Sequence, residues 1–172
     1  KVENGKCFYF DFAGQDYKPV RVSDNIISLA ALKAADKVIQ SNSSATLVDL
    51  GDGVACLEFH TKMNSLNQEI IEFLPEVLEA VDGTAAGLVI GNQAGGMPGA
   101  FCAGANLMDV AVAFKENRFA DLETMIAGLQ YGLLNLRYAP FPVVAAPFGL
   151  ALGGGSELCM ASDRIVAHAE LY

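Results

Sequence analysis

Ala151-Leu152-Gly153-Gly154-Gly155-Ser156-Glu157-Leu158 is the stretch that decides how this chain folds. Its consecutive glycines strip the side chains from a backbone turn, so peptide N–H groups lie open to close approach. An apolar, strand-like run precedes them and an apolar, helix-like run follows. A strand that turns through bare glycine into a helix aims unpaired N–H groups and the positive end of the helix dipole at one spot. Glu157 follows within the first helical turn. Amides beside a carboxylate suit chemistry in which a carbonyl oxygen gains negative charge while a base moves a proton. The same pattern serves a tight turn with close helix–strand packing, and a helix dipole stabilises a carboxylate in the first turn whether or not it reacts.

A second small-residue segment lies about 50 residues upstream, Ala100-Phe101-Cys102-Ala103-Gly104-Ala105-Asn106-Leu107. An oxyanion hole takes two N–H donors from converging segments, and the chain offers two candidates. Around them strands and helices alternate. Thr46–Leu50 and Val54–Phe59 are β-rich runs joined by Gly51-Asp52-Gly53, a predicted hairpin. Leu66, Ile70, Phe73, Leu74, Val77, Leu78 and Val81 recur at helical spacing, with Pro75 as an expected kink. Gly87–Gly91 reads as a short buried strand, and Met108–Glu116 is ambiguous, with a short helix as one reading. Leu122, Met125, Ile126, Leu129, Leu133 and Leu136 mark a second long helix, ended by Pro140 and Pro142. Val143–Ala146 and Ile165–Ala167 read as strands flanking a short helix that begins near Gly155. Such alternation predicts an α/β fold. No internal sequence repeat is visible.

Upstream, Ser41-Asn42-Ser43-Ser44-Ala45 has the small, polar composition of a linker. Before it, Lys6–Phe12 alternates and is aromatic, a strand preceded by an Asn4-Gly5 turn. Ser23 or Asp24 would cap a helix from about Asn25 to Gln40, with Ile26, Leu29, Ala30, Lys33 and Lys37 at helical spacing. The expected organisation is an N-terminal segment over 1–45, the tail of a preceding domain plus linker, and a core over 46–172. No G-x-G-x-x-G follows a strand, so no NAD site is expected here.

With 172 residues, 52% of them hydrophobic, the chain is long and apolar enough for one sizeable core. A net charge of −9 argues against a nucleic-acid partner, whose phosphates it would repel. Cys7, Cys56, Cys102 and Cys159 lack paired metal-ligand spacing and read as free thiols. His60 and His168 are the only histidines, so no metal site is expected. The start of the chain has no basic region followed by an apolar stretch, and the run Ala139–Gly155 is too broken by proline and glycine to span a bilayer. The expected location is the cytoplasm.

Four segments carry a resemblance. Phe101-Cys102-Ala103-Gly104-Ala105-Asn106-Leu107 resembles the F-x-A-G-A-D-[LI] motif of the enoyl-CoA hydratase/isomerase (crotonase) superfamily. Pro142 to Leu158 resembles its P-V-I-A-A-V-x-G-x-A-x-G-G-G-x-E-L motif, and Ala161-Ser162-Asp163-Arg164-Ile165-Val166-Ala167 is similar to the C-D-[IL]-x-x-A stretch that follows. His60-Thr61-Lys62-Met63-Asn64-Ser65-Leu66 resembles the P-x-x-x-N-[AS]-L segment that opens the first long helix. Asn106 stands where Asp is usual, and His60 where proline is usual. The chain stops at Tyr172, ahead of the second catalytic glutamate of the family's hydratases and of the terminal helices that close the acyl pocket and build its trimer. The resemblance therefore implies part of a longer protein. The segment before residue 46 resembles a junction with a 3-hydroxyacyl-CoA dehydrogenase module.

By the same resemblance the fold is a crotonase-like spiral of ββα units, truncated at its C-terminus. The backbone N–H groups of Ala105 and Gly154 would hold the thioester oxyanion, and Glu157 would activate water or relay a proton. Lys62, Phe101, Ala103, Gly104, Asn106, Leu107 and Gly153 are the implied substrate-binding positions. Of these, Lys62 would lie near the CoA ribose or phosphates. Phe101, and Met108 beyond it, would face the acyl chain unless they belong to the core. Asp109 and Glu116 lie in the stretch that lines the acyl pocket, as extra acids or as solvated charges. Asp163 is expected to bond the backbone or Arg164. The implied reaction is hydration of a trans-2-enoyl-CoA in fatty-acid β-oxidation, with isomerase or hydrolase chemistry, or an inactive scaffold, as alternatives. Acyl-CoA is then substrate rather than cofactor, NAD belongs only to a separate dehydrogenase module, and the expected assembly is a trimer-based homo-oligomer. The chain alone is expected to turn over little or no substrate.

Overall fold

The hairpin expected at Gly51-Asp52-Gly53 lies at the heart of the main sheet in the computed structural model, which describes residues 1–3, 6–20, 26–93 and 99–172. In chain order the elements are β1 (Val2–Glu3), β2 (Lys6–Asp11), β3 (Asp16–Pro19), α1 (Leu29–Ala34), β4 (Val38–Ser41), β5 (Ala45–Gly51) and β6 (Val54–Phe59). A 3-10 turn at Lys62–Asn64 leads into α2 (Gln68–Val81), then β7 (Gly87–Ile90), β8 (Ala100–Cys102), α3 (Leu107–Lys115) and α4 (Phe119–Arg137). The chain continues with β9 (Val143–Ala145), β10 (Leu150–Ala151), α5 (Gly154–Ala161) and β11 (Arg164–Ile165).

Three sheets result. The largest has the order β11-β9-β7-β6-β5-β4, antiparallel across β4, β5 and β6 and parallel from β6 to β11. A second pairs β8 with β10 in parallel, and β1, β2 and β3 form a third. The chain alternates between the first two. From β7 it passes to β8 and returns through α3 and α4. From β9 it passes to β10 and returns through α5. The last residues follow the same path, because Tyr172 N donates to Gly149 O at 2.6 Å and Ala151 N donates to Tyr172 O at 3.0 Å. This is the ββα spiral that the motifs imply.

The core fills the space between the main sheet and α2. Ile70, Phe73, Leu74, Val77 and Val81 of α2 are buried against Leu47, Leu57, Leu88 and Ile90 of the sheet. Each buried aliphatic or aromatic side chain contributes roughly 1.5–3 kcal/mol. Asn67 caps α2, its Oδ1 accepting from Ile70 N at 3.0 Å. The helix runs through Pro75, which sits on its exposed side. Helix α4 crosses α2 closely at Gly132, where a Cβ would lie 2.8 Å from Leu74 Cδ1. No helix among the described residues is long and apolar enough to cross a membrane.

Two expectations for the N-terminal region are corrected. The helix predicted from Asn25 to Gln40 is confined to Leu29–Ala34, capped by Ser28 Oγ, which accepts from Ala31 N at 3.2 Å. Asp36 adopts a left-handed φ of 59°, which stops the helix, and Val38–Ser41 pairs as a strand with β5 instead. The proposed caps Ser23 and Asp24 lie outside the described residues. The expected linker at 41–45 is the turn between β4 and β5. Asn42 Oδ1 accepts from Ser44 N at 2.9 Å and from Ala45 N at 2.8 Å, a side-chain-stabilised turn that needs the same small polar residues as a linker. The boundary expected between 45 and 46 therefore falls inside a hairpin of the main sheet.

Helix α1 is tied to that sheet by several independent contacts. Leu29 is buried with Val48 and Cys56. Lys33 Nζ pairs with Glu58 at 2.6 Å and Lys37 Nζ with Asp49 at 3.0 Å. The Gln93 side chain accepts from Leu29 N at 2.8 Å and donates to Ile27 O at 2.9 Å. Residues 26–41 thus fold with the sheet. Leu29→Ala should lower unfolding stability by about 2–3 kcal/mol in denaturant titrations. A change below about 0.5 kcal/mol, typical of a surface site, would return this segment to the status of a linker.

Candidate active site

Two loops that are distant in sequence lie against each other at the edge of the small sheet. Leu152 N donates to Cys102 O at 2.9 Å. At Gly104, whose φ is +86°, a Cβ would sit 2.8 Å from Leu152 O and 3.3 Å from Gly154 N. A Cβ on Gly155 would overlap Cys102 O. Backbone meets backbone at both points, so the glycines at 104 and 155 are steric requirements.

Leu66 touches both loops, the first through its backbone and the second through its side chain. Its N–H donates to Gly104 O at 2.8 Å, and its carbonyl accepts from Asn106 N at 2.8 Å. These bonds bracket Ala105 in a parallel bridge, so the N–H of Ala105 projects away from Leu66. The Leu66 side chain is buried, with Cδ1 at 2.8 Å from the point a Cβ on Gly154 would occupy. Gly154 is the first residue of α5, where the N–H has no intrahelical acceptor. Neither Ala105 N–H nor Gly154 N–H has an acceptor among the described residues. Glu157, in the first turn of the same helix, has Oε2 at 3.7 Å from that Gly154 point.

A cavity of about 210 Å³ opens here, lined by Leu66, Ala105 and Glu157 together with Ile71 of α2 and Met125, Ile126, Leu129, Gln130 and Leu133 of α4. Among the described residues its walls are apolar except for Gln130 and Glu157. The Glu157 carboxylate makes no hydrogen bond or ion pair among the described residues, and it is exposed at the cavity mouth. Two amides without acceptors, one free carboxylate and an apolar wall can stabilise charge on an acyl oxygen while a proton moves nearby.

Ala105, Gly154 and Glu157 therefore come together, and Gly104 and Gly153 shape the turns that bring them. The other implied substrate positions divide. Ala103 N donates to Met63 O at 3.2 Å, and Asn106 Oδ1 caps α3 by accepting from Met108 N at 3.1 Å. Lys62 is exposed in the 3-10 turn, outside the cavity lining. Phe101 is fully buried in the main core, which corrects its expected place against an acyl chain: on the short strand β8 it is enclosed in the packing beneath the loop. Leu107 and Met108 are 75% and 71% exposed on α3 and do not line this cavity.

A neighbouring cavity of about 430 Å³ shares Met125 and is lined by Gln68, Asp109, Val112, Arg118 and Asp121 among others. Glu116 pairs with Arg118 at 2.8 Å, and Arg118 pairs again with Asp121 at 2.6 Å. Asp163 is structural, as expected: its Oδ2 accepts from Val143 N at 2.8 Å, and Arg164 donates to its carbonyl at 3.0 Å. Leu66 and Gln130 were not singled out as site residues by the sequence. The N-[AS]-L motif was the available signal for Leu66, and Gln130 had none.

Among the described residues, Cys56, Cys102 and Cys159 are free thiols, and no group of three or more His, Cys, Asp or Glu is disposed to hold a metal. Burial pushes the Cys56 thiol up to about 12 and the Cys102 thiol up to about 11. Cys102, next to the Ala103–Asn106 loop, is thus held protonated and offers no thiolate nucleophile.

The sequence profile of the enoyl-CoA hydratase/isomerase family matches residues 49–170. A Bacillus subtilis protein named as a probable 3-hydroxyacyl-CoA dehydrogenase is 42% identical over 170 residues, which cover 99% of this chain and 21% of that protein. A putative fatty acid oxidation complex trifunctional enzyme of Rickettsia prowazekii is 32% identical over 135 residues, 78% of this chain and 18% of that protein. The chain thus spans about a fifth of the length of these relatives. The crystal structure of an enoyl-CoA hydratase from a Polaromonas species superposes with a TM-score of 0.66 at 27% identity, over 74% of this chain and 49% of that one.

The buried thiols predict an alkaline limb. Folding raises both above their ordinary value of 9.0, so the stability they contribute is complete below pH 9.0 and is lost as pH rises toward about 11 at Cys102 and about 12 at Cys56. Denaturation midpoints should hold up to pH 9.0 and fall above it. Peptide-resolved alkylation of the native protein at neutral pH should leave Cys56 and Cys102 unmodified. Rapid labelling of either one would show that it is not enclosed as described.

Proposed function

This chain belongs to the enoyl-CoA hydratase/isomerase family, and from that premise we propose that its cavity holds the acyl thioester of a CoA substrate and that the active protein adds water to a trans-2-enoyl-CoA. The observation that carries the proposal is the pair of backbone amides, Ala105 and Gly154, without acceptors among the described residues: Ala105 lines the cavity with Glu157, and Gly154 lies against the Leu66 side chain and near the Glu157 carboxylate. The thioester oxygen accepts from both N–H groups. As water attacks Cβ, electron density moves onto that oxygen and the donors stabilise the enolate, each by about 3 kcal/mol. Glu157 accepts the proton from the attacking water, and protonation of Cα then completes the addition. The apolar walls from α2 and α4 exclude bulk water, which strengthens both electrostatic contacts.

Among the described residues, the cavity lining contains one ionisable side chain, Glu157. Addition of water needs a proton removed from the nucleophile and one returned to Cα. We therefore propose a second acid, supplied from outside these residues in the active protein, and little hydration by this chain alone. A single carboxylate beside an oxyanion hole also fits movement of a proton between Cα and Cγ, so isomerisation of a 3-enoyl-CoA is the second reading. The name of the Rickettsia relative supports a place in fatty-acid oxidation, and that of the Bacillus relative supports a dehydrogenase module in the same polypeptide, which would be where NAD binds. The proposed reaction moves only protons and water, and so requires no resident cofactor. A trimer-based homo-oligomer is the proposed assembly.

Glu157→Gln removes the base with little change in volume. In the active protein it should lower the hydration rate by about 100-fold or more while leaving acyl-CoA affinity nearly unchanged. Crotonyl-CoA hydration followed at saturating substrate measures this. Retention of turnover within about threefold, or about 0.65 kcal/mol of barrier, would make Glu157 a structural carboxylate. Faster turnover of a 3-enoyl-CoA than of crotonyl-CoA would favour the isomerase reading.

A further inference from the structure

Met63 and Asn64 are consecutive residues in left-handed backbone conformation, with φ of 55° and 53°. Elsewhere among the described residues, non-glycine residues with positive φ do not adjoin one another. Left-handed backbone is unfavourable for L side chains and persists where the surroundings over-determine it. Here the surroundings are specific. Asn64 Nδ2 donates to Ala100 O at 2.8 Å, at the start of β8. Ala103 N, just past the end of β8, donates to Met63 O at 3.2 Å. Within the turn, Asn64 N donates to Thr61 O at 2.9 Å and Thr61 Oγ1 donates to Ser65 O at 2.7 Å. The turn is pinned to β8 at both ends, and its next residue is Leu66.

We propose that Asn64 is a positioning residue for the Ala105 amide, acting through Leu66; the proposal rests on the reading of Ala105 and Gly154 as oxyanion donors. Asn64 does not line the cavity. Its side-chain amide fixes the 61–65 turn on β8, the turn places Leu66, and Leu66 brackets Ala105 through Gly104 O and Asn106 N. The residue type fits the task. Asparagine tolerates left-handed backbone better than most residues and carries a donor that reaches the Ala100 carbonyl. Aspartate shares the backbone tolerance but presents an acceptor to an acceptor. Glycine shares it but has no arm. Loss of the arm leaves the turn held to the β8 region through Ala103 N and Met63 O alone and alters the aim of the Ala105 N–H, while Gly154 keeps its place at the start of α5.

The test uses this chain and a chromophoric aryl-acryloyl-CoA, whose absorbance moves to longer wavelength when donors polarise its thioester carbonyl. Asn64→Gly keeps the backbone and removes the arm, and Asn64→Asp keeps the shape and removes the donor. Both should bind the thioester within about threefold of wild type, lose at least half of the red shift, and displace the amide resonance of Ala105 in 1H–15N spectra. Ser65→Ala, which removes only a hydroxyl bond to Lys62 O within the turn, should change neither readout. If Asn64→Gly does not fold, Asn64→Asp decides the same question. A wild-type red shift that survives in the folded variants, with the Ala105 resonance unmoved, overturns the role of Asn64 alone. Absence of a red shift in wild type with thioester bound overturns the oxyanion reading, and the proposal with it.

Discussion

The contact of Leu66 with both glycine loops is the constraint on which the site depends. Its peptide group bonds both neighbours of Ala105, and its side chain rests against Gly154. One residue thus fixes two amides that lie on different turns of the spiral. The arrangement requires backbone-to-backbone contact at Gly104 and Gly155, where any side chain would collide with Leu152 O or Cys102 O. It also requires β8 and β10 to run parallel, which follows from β7, β9 and β11 entering the main sheet in the same direction. The large sheet sets the direction of the chain, the small sheet sets the approach of the loops, and Leu66 sets the register of the 104–106 loop while its side chain packs on Gly154.

The parts of this design that were legible in the sequence are those with an unavoidable chemical cost. Close approach of two backbones forbids a Cβ at Gly104 and Gly155, so these glycines mark the site directly. A half-buried long helix must repeat its apolar residues, so α2 and α4 were visible from Leu66 to Val81 and from Leu122 to Leu136. Strands β8 and β10, with three and two residues, are too short to show a period. Leu66 read as the start of an apolar helix face and the end of the N-[AS]-L motif, because nothing in its side chain reports that its backbone N–H and C=O hold another loop. Phe101 read as an acyl-pocket wall or as core, because an aromatic residue next to small residues looks the same in both, and the structure places it in the core.

The N-terminal region shows the same ambiguity from composition. Ser41 to Ala45 has a linker's residues, and an Asx-stabilised turn uses the same ones. Helical spacing from Ile26 to Lys37 was real, but Asp36 turns left-handed and the β-branched Val38 and Ile39 join the edge of the sheet. Tertiary pairing with β5 outweighed local helical preference. Charges in this region serve the fold: Lys33 and Lys37 reach the sheet carboxylates Glu58 and Asp49, and Glu69 accepts from Ser43 and Ser44, hydroxyl contacts that hold its carboxyl below the usual range. Glu157 differs from these carboxylates in having no partner among the described residues, and it lines the apolar cavity together with Ala105.

The most direct test of that account is a crystal structure of this chain with acetoacetyl-CoA, whose thioester carries partial enolate character. The thioester oxygen should lie about 2.7–3.1 Å from both Ala105 N and Gly154 N, with the acyl carbons between Leu129 and Glu157. A thioester bound elsewhere, or one whose oxygen meets only one of the two amides, would contradict the claim that Leu66 assembles a single oxyanion site from the two loops.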